Sequence, residues 1–431
     1  MLNSIYMIEG VGEYIMNKKI YVVGDVMLDA YWQGISSRIS PECPVPVVDD
    51  VSIEKRIGGA GNVCQSLKVF TDEVILFSTV GLDKEGGEIA QILADSDIPN
   101  DLTLSRESTT ISKTRILANN QQLCRLDTGD INDAPPSFTD VPDVIIVSDY
   151  GKGTITDDVM ASLVDNNDCP ILVDPKGTNW DKYAGVYAIT PNLKEFEDAF
   201  GTYSYQKALD ITEELDLQGI LITLGAGGMQ WVGRDGASIL RRSNIVEEVR
   251  DVTGAGDTVI ATFALFLPSG IRNAMDYANR AAGNVCTKLG TSVPDKAAVC
   301  EIVVFTNGCF DIIHSGHTHL LEQASLYGDR LIVGINSDES MKRIKREPVN
   351  DEVERMEVVS RIEGVDQVLI FNEDTPYELI KEIQPDIIVK GGDYTIDSVV
   401  GNDLVDDVRI IQLVEGKSTT NTIERMIGRD A

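Results

Sequence analysis

Short apolar runs alternate with helical stretches along almost the whole chain. Ile20–Val23, Val74–Phe77, Val144–Val147, Ile171–Val173 and Gly219–Thr223 are unbroken runs of this kind. Such runs suit strands buried on both faces, and helices between them give a largely parallel sheet with helical cover. The alternation stops between about Thr291 and Cys300, then restarts with Ile302–Phe305, Arg330–Ile335, Gln367–Ile370, Ile387–Val389 and Arg409–Gln412. The pattern predicts two α/β domains, residues 17–297 and 301–431, with a short join. Residues 1–16 precede the first strand and read as an extension. One region departs from the alternation. Tyr31 to Arg56 carries Pro41, Pro44 and Pro46 and predicts edge strands, a small β lid over a site.

Charge changes this picture. The formal net charge is −32, which argues against nonspecific binding to nucleic acid or anionic membrane surfaces. A polyphosphate ligand would need a cation, local basic residues and backbone amides. Lys342-Arg343-Ile-Lys345-Arg346 is a basic island in this acidic chain, either phosphate-facing or a solvated helix end. The seven cysteines form no CxxC pair, which fits reduced thiols in a cytoplasmic protein. No segment reads as a signal peptide or a membrane span.

Two stretches carry candidate chemistry. Asp251-Val-Thr253-Gly254-Ala255-Gly256-Asp257 precedes the apolar helical stretch Val259–Leu267. Glycines at a loop-to-helix junction admit phosphate oxygens close to the backbone. Asp257 beside them could take the proton of an attacking hydroxyl. Gly58-Gly59-Ala-Gly-Asn62 opens another helix, and Gly24-Asp25-Val-Met-Leu-Asp29 ends the first strand with two acids able to accept from sugar hydroxyls. Asn192-Leu-Lys-Glu195 follows an apolar run and suits either water-mediated steering of Mg²⁺ and phosphate or a capped helix start. Lys113, Arg115, Arg125 and Lys176 are candidate cations for a second phosphate, or else exposed strand charge.

All three histidines fall in the second stretch, Thr306-Asn-Gly308-Cys-Phe310-Asp311-Ile-Ile-His314-Ser-Gly316-His317-Thr-His319. A strand feeding a helix start presents free N–H groups to an anion. Two imidazoles there can donate to a phosphate whose charge grows during reaction. Two His three apart could instead ligate zinc, but no Cys–His spacing or carboxylate cluster supports it. His319 reads as a helix-surface residue.

Taken in combination, the first group of motifs resembles the ribokinase-like (PfkB) carbohydrate kinase family over residues 17–297. The resemblance implies a ribokinase-like α/β domain with a β lid. It makes Gly254, Ala255 and Gly256 the anion hole, Asp257 the base, and Asn192 and Glu195 the Mg²⁺-associated pair. Asp25, Asp29, Gly59 and Asn62 become sugar contacts, and Thr223, Gly225 and Thr253 nucleotide contacts. Ser37–Pro46, Lys113–Asp127 and Ser148-Asp-Tyr-Gly-Lys152-Gly further resemble heptose 7-phosphate kinase modules. The second group resembles the cytidylyltransferase-like family over about 302–431, a Rossmann-like α/β nucleotidyltransferase domain. That resemblance places Thr306, Gly308, Phe310, Asp311, Gly316, Arg355, Lys390, Asp393, Ser418, Thr419 and Thr420 on the nucleotide, with His314 and His317 catalytic.

Together the halves resemble bifunctional heptose 7-phosphate kinase / heptose 1-phosphate adenylyltransferases, which make ADP-heptose, a lipopolysaccharide precursor. The implied cofactors are ATP and Mg²⁺, with no direct protein ligand to the metal. The implied partners are small sugar phosphates and a second copy of the chain in a homo-oligomer. Two features depart from the pattern: Lys288–Asp295 runs almost directly into Ile302 without the usual helical segment, and the loop after Lys342 is short. Two rivals share these motifs, a kinase for another sugar fused to a cytidylyltransferase and a non-catalytic binding regulator.

Overall fold

The computed structural model describes residues 18–119, 121–243, 249–288, 290–392, 394–405 and 407–411. By contacts the chain divides into two compact units, Met1–Val299 and Cys300–Ala431.

The first unit is built on a nine-stranded sheet. Its strands run in the order Ser238–Arg241, Met229–Gly233, Gly219–Thr223, Ala188–Ile189, Ile171–Asp174, Val144–Ser148, Ile20–Gly24, Val74–Gly81 and Asn100–Ser105. All neighbours pair in parallel except at Gly219–Thr223/Met229–Gly233 and Met229–Gly233/Ser238–Arg241. Ile20–Gly24 and Val144–Ser148 are buried at every position, as unbroken apolar runs require. After Ile20–Gly24 the chain adds two strands on one side and then crosses to Val144–Ser148 on the other. In open parallel sheets that reversal leaves a crevice beyond the carboxyl ends of the strands. The two strands are closest there. A Cβ on Gly24 would lie 2.2 Å from the Ser148 carbonyl oxygen.

The helix Ala255–Phe266 packs on Val144–Ser148 and Ile171–Asp174, and every residue from Asp257 to Phe266 is buried. It is apolar all round, as a helix enclosed by the sheet and its neighbours must be. Its N-terminus is therefore held at the crevice.

The lid is larger than its proline signature suggests. Val26–Ile39 springs from the first strand and pairs with Pro46–Gly59, with Pro41 and Pro44 in the turn between. Thr109–Ala118 and Gln121–Asp130 complete a four-stranded sheet. Its register separates two faces. One carries the rows Arg56–Asp29–Lys113–Asp127 and Glu54–Tyr31–Arg115–Arg125, and the other carries Ile53–Trp32–Ile116–Cys124.

The second unit is a five-stranded, wholly parallel sheet ordered Gln367–Phe371, Arg330–Asn336, Val303–Gly308, Ile387–Gly391 and Asp407–Ile411. Apolar clusters around Val304, Val333 and Val389 and around Phe305 and Ile388 form its core. The strand order reverses between Val303–Gly308 and Ile387–Gly391. One expectation is corrected. A five-residue helix, Lys296–Cys300, does precede the first strand, and the Asp295 side chain caps it by accepting from Ala297 N at 3.0 Å.

Candidate active sites

A cleft of about 220 Å³ opens at the first crevice. Its lining comes from the ends of successive parallel strands: Asp149 and Tyr150, Asp174 to Lys176, Thr190 and Asn192, and Thr223. Gly254, Gly256 and Asp257 close it from the helix start. Gly254 stands at φ 82° as the helix cap, a conformation that favours glycine. Thr253 shapes this turn, because its N and Oγ1 both donate to Asp251 (2.9 and 2.7 Å).

Asp257 is 3 % exposed. Asn62 Nδ2 donates to its Oδ2 and the Tyr150 hydroxyl to its Oδ1, each at 2.8 Å. Burial pushes its carboxyl up to about 6, and the two hydrogen bonds pull the other way. Asn62 is brought there by the helix Ala60–Lys68, whose cap Gly59 (φ 59°) passes so close to Asp25 that a Cβ would meet its carbonyl oxygen at 2.2 Å.

Several side chains expected on the sugar are otherwise engaged. The Asp25 carboxylate accepts from the backbone N–H of Tyr150, Lys152 and Thr154 (2.8, 3.1 and 3.1 Å). It holds the loop after Val144–Ser148. Asp29 and Arg115 pair with each other. Arg125 pairs with Asp127 (2.7 and 2.9 Å) on an exposed strand and does not line the cleft. Lys113 lies with its ammonium 5.2 Å from the Tyr150 ring centre, and burial lowers its pKa. Lys176 is corrected in place. It lies in the cleft beside Glu195, with Nζ donating to Oε1 at 2.8 Å.

Asn192 and Glu195 form a reciprocal capping box: Glu195 N donates to Asn192 Oδ1 (2.9 Å), and Asn192 N to Glu195 Oε2 (3.1 Å). Both also line the cleft, so the capped-start and cleft-facing readings hold together. Gly225 takes φ 57° in the turn just after Thr223.

Sequence reasoning did not assign five of the cleft residues, Asp149, Tyr150, Asp174, Pro175 and Thr190. Tyr150 lay in a quoted motif, but nothing local shows that its hydroxyl reaches a helix more than a hundred residues on. Asp174 read as a strand end. Its carboxyl is pushed well above the usual range, first by burial and then by the charges of Asp257 and Glu195.

In the second unit the helix Ser315–Ser325 starts at the sheet's reversal point. His314 caps it, its Nδ1 accepting from Gly316 N at 3.2 Å. The His314 and His317 rings stack with centroids 3.9 Å apart and planes 16° apart. Among the described residues, His317 Nδ1 and the buried Thr306 hydroxyl lack a hydrogen-bond partner, a cost tolerated where a polar ligand completes the site. Burial, and then the neighbouring His314, lower the His317 pKa to about 4, so the ring is neutral at pH 7. Phe310 (φ 46°) turns the chain after Gly308 and lies 5.1 Å from His317, ring to ring. Lys390 bridges the reversal point. Its Nζ donates to Asn307 O (3.1 Å) and Oδ1 (2.6 Å), and burial lowers its pKa to about 8.

Two expectations change here. Arg355 was expected on the triphosphate. It is 1 % exposed, and its guanidinium donates to Asn350 O (3.1 Å), Cys309 O (2.8 Å) and Asp338 (2.7 Å). It ties the surrounding loops together with three of the five N–H donors a guanidinium carries, and it lines a cleft of about 380 Å³ with Phe310 and Asp311. Asp311 likewise accepts from Val349 N and Asn350 N (both 2.9 Å) and pairs with Arg346 (2.6 Å). Most of the basic island is also neutralised locally, Lys342 by Glu347 and Arg343 by Asp374. The exposed Lys345 is the member whose charge reaches His317. Asp393, Ser418, Thr419 and Thr420 lie outside the described residues.

A base at a glycine-capped helix start in one unit and a histidine pair at a helix start in the other define a carbohydrate kinase joined to a nucleotidyltransferase. The family models agree: residues 17–298 match the pfkB family carbohydrate kinase and 305–424 the cytidylyltransferase-like family. The bifunctional protein HldE of Nitratiruptor is 38 % identical over 465 residues (95 % of this chain, 99 % of that protein), and that of Pseudomonas aeruginosa 39 % over 459 residues (94 % and 97 %). The chain belongs to this HldE family of bifunctional enzymes. Both alignments are longer than the 431-residue chain, so these relatives carry stretches that it lacks. The first unit's fold is that of ribokinases. The Arabidopsis thaliana enzyme, solved with ribose and ATP, superposes with a TM-score of 0.53 at 18 % identity, covering 66 % of this chain and 98 % of that one. The Thermotoga maritima ribokinase gives 0.54 at 19 %, covering 65 % and 98 %. No helix among the described residues is long and apolar enough to cross a membrane.

Asp257 makes a stability prediction. Its folded pKa, about 6, lies above the ~3.9 of an unfolded Asp. Stability present while the group is protonated in both states is therefore lost as pH rises through 6. Asp257→Asn carries no charge to bury. In denaturant titrations it should gain roughly 1–3 kcal/mol over the parent chain at pH 8, and this advantage should vanish near pH 4.

Proposed function

We propose that the chain makes ADP-heptose. The first unit phosphorylates O1 of D-glycero-β-D-manno-heptose 7-phosphate. The second transfers the adenylyl group of ATP to heptose 1-phosphate, after a separate phosphatase has removed the 7-phosphate. The observation that carries this reading is the pairing, in one chain of this family, of a doubly hydrogen-bonded base at a helix start with a stacked histidine pair at another.

In the kinase step Asp257 takes the proton of the O1 hydroxyl. The new O1–Pγ bond forms as the bond from Pγ to the β-phosphate oxygen breaks, and ADP leaves. The amides at Gly254 and Gly256 face the growing charge. The charged lid face, with Lys113 and Arg115, meets the 7-phosphate, and Thr223 and Gly225 flank the nucleotide. Mg²⁺, when bound with ATP, neutralises triphosphate charge. Asp174, Asn192 and Glu195 line the same cleft and would face such a cation. In the transferase step an oxygen of the sugar 1-phosphate attacks Pα, the Pα–O bond to the β-phosphate breaks, and pyrophosphate leaves. His314 and His317 donate to the phosphates, with Thr306 and Lys390 beside them. No covalent intermediate is required.

The outer lid face suits a second copy of the chain. Trp32 is 40 % exposed and Ile53 54 %, in one row with Ile116 and Cys124 across all four strands. Such a face, unpartnered, invites association. None of the seven cysteines is in a disulfide, in keeping with the cytoplasm.

Three measurements test these readings. In ³¹P NMR, protein, ATP, Mg²⁺, the heptose 7-phosphate, a sugar 7-phosphatase and pyrophosphatase should yield the coupled diphosphate pair of ADP-heptose. Absence of any turnover would sink the heptose assignment. His317→Asn should lower adenylyl transfer by roughly 10²–10³-fold and leave the kinase rate unchanged, by analogy with the loss of one oxyanion donor. Trp32→Glu should shift the chain from dimer to monomer in sedimentation velocity. A parent chain that is already monomeric at micromolar concentration would refute the lid interface.

A further inference from the structure

We propose that Tyr150 is a positioning residue that holds the kinase base ionised and aims its free lone pairs at the substrate hydroxyl. The inference rests on the kinase reading above and deepens it.

The argument begins with the two oxygens of Asp257. Each accepts one internal hydrogen bond, from Asn62 on Oδ2 and Tyr150 on Oδ1. A carboxylate oxygen has two lone pairs, so each keeps one for a ligand. With both internal bonds fixed, the plane of the carboxylate is fixed, and the remaining lone pairs have set directions. The cleft runs past Asp257 and Tyr150 together.

The phenol is presented by a rigid loop. Three successive backbone donors of that loop, on Tyr150, Lys152 and Thr154, close on Asp25. The neighbouring Asp149 carboxylate accepts from Gly151 N (2.7 Å), Lys182 Nζ (2.6 Å) and the Tyr183 hydroxyl (2.7 Å). Gly151 and Gly153 take φ 64° and 111°, so the path of the loop depends on residues without a Cβ. A loop anchored at both Asp25 and Asp149 places one hydroxyl against one base.

The direction of that hydrogen bond is also set. Tyr150 stays protonated, because burial and then the charges of Asp257 and Asp174 push its pKa well above the usual range. It can only donate to an ionised carboxylate. Such a bond favours the charged form against the burial that opposes it. The other groups facing Asp257 are Asn62 from the helix Ala60–Lys68, Asp29 and Lys113 from the two central lid strands, and Asp174 from its strand end. Asp29 and Asp174 work against ionisation, Lys113 and Asn62 for it. Tyr150 is the donor that also lines the cleft.

The test is Tyr150→Phe in the full chain, which deletes one oxygen and keeps the ring. Kinase kcat/KM is measured from pH 5 to 9, with adenylyl transfer on the same preparation. The expected result is a loss of about ninefold at pH 5 and about fivefold at pH 6 that shrinks to within about twofold at pH 9, as the acid limb moves up by about one unit. Adenylyl transfer stays unchanged. A second readout needs no substrate. The Asp257 carboxyl, identified in ¹³C NMR by its disappearance in Asp257→Asn, should titrate about one unit higher in Tyr150→Phe. An equal loss at every pH, or an unmoved carboxyl titration, would overturn the proposal. If the parent enzyme fails to turn over heptose 7-phosphate, the substrate reading falls, and the carboxyl titration still decides the role of Tyr150.

Discussion

The first unit is organised around the cost of burying one carboxylate. The base role proposed for Asp257 asks it to be dry and yet charged enough to accept a proton, and these demands conflict. Two donors from distant parts of the chain reconcile them. Their placement needs the helix Ala60–Lys68, the loop after Val144–Ser148 and the close approach of Gly24 to Ser148. Asp25 and Asp149 then serve a supporting role, spending their charge on backbone and side-chain donors so that one loop keeps its shape.

The second unit meets the same problem with neutral groups. Its His317 is neutral at pH 7, and its Nδ1 has no hydrogen-bond partner among the described residues. Acid surplus on the chain has a parallel effect on the cations. Arg343, Arg346, Lys342 and Arg355 are each matched with a carboxylate. With a net charge of −32, most basic side chains go to holding loops in place, and few stay free for ligands. Lys345 and Lys390 are the cations near the histidines that carry no carboxylate pairing among the described residues.

Much of this was legible beforehand. Gly219–Thr223 matches its strand end to end, and the other buried runs differ by a few residues, because a strand buried on both faces writes itself as unbroken apolar sequence. Gly254–Asp257 and His314–His317 were legible through the motifs around them, because a glycine turn before an Asp, or two His on a helix, has common alternative explanations on its own. The lid was half seen. Prolines marked Tyr31–Arg56, but Thr109–Ala118 and Gln121–Asp130 pair with it across a gap of some fifty residues, and local pattern holds no trace of that pairing. Side-chain commitments were the least visible. Arg355, Asp311 and Asp25 carry the residue types of ligand contacts, yet their partners are loops brought near by the fold.

The lid's two faces belong to the same four strands, separated only by alternate positions. Side-chain direction reverses with every residue along a strand. Inserting or deleting a single residue ahead of Trp32 would turn Asp29 and Tyr31's row outward and bury the tryptophan's row over the cleft. The lid can therefore change length without exchanging its faces in steps of two, or where a register shift such as those at Gln33/Ile35 and Ile35/Arg38 takes up an odd residue.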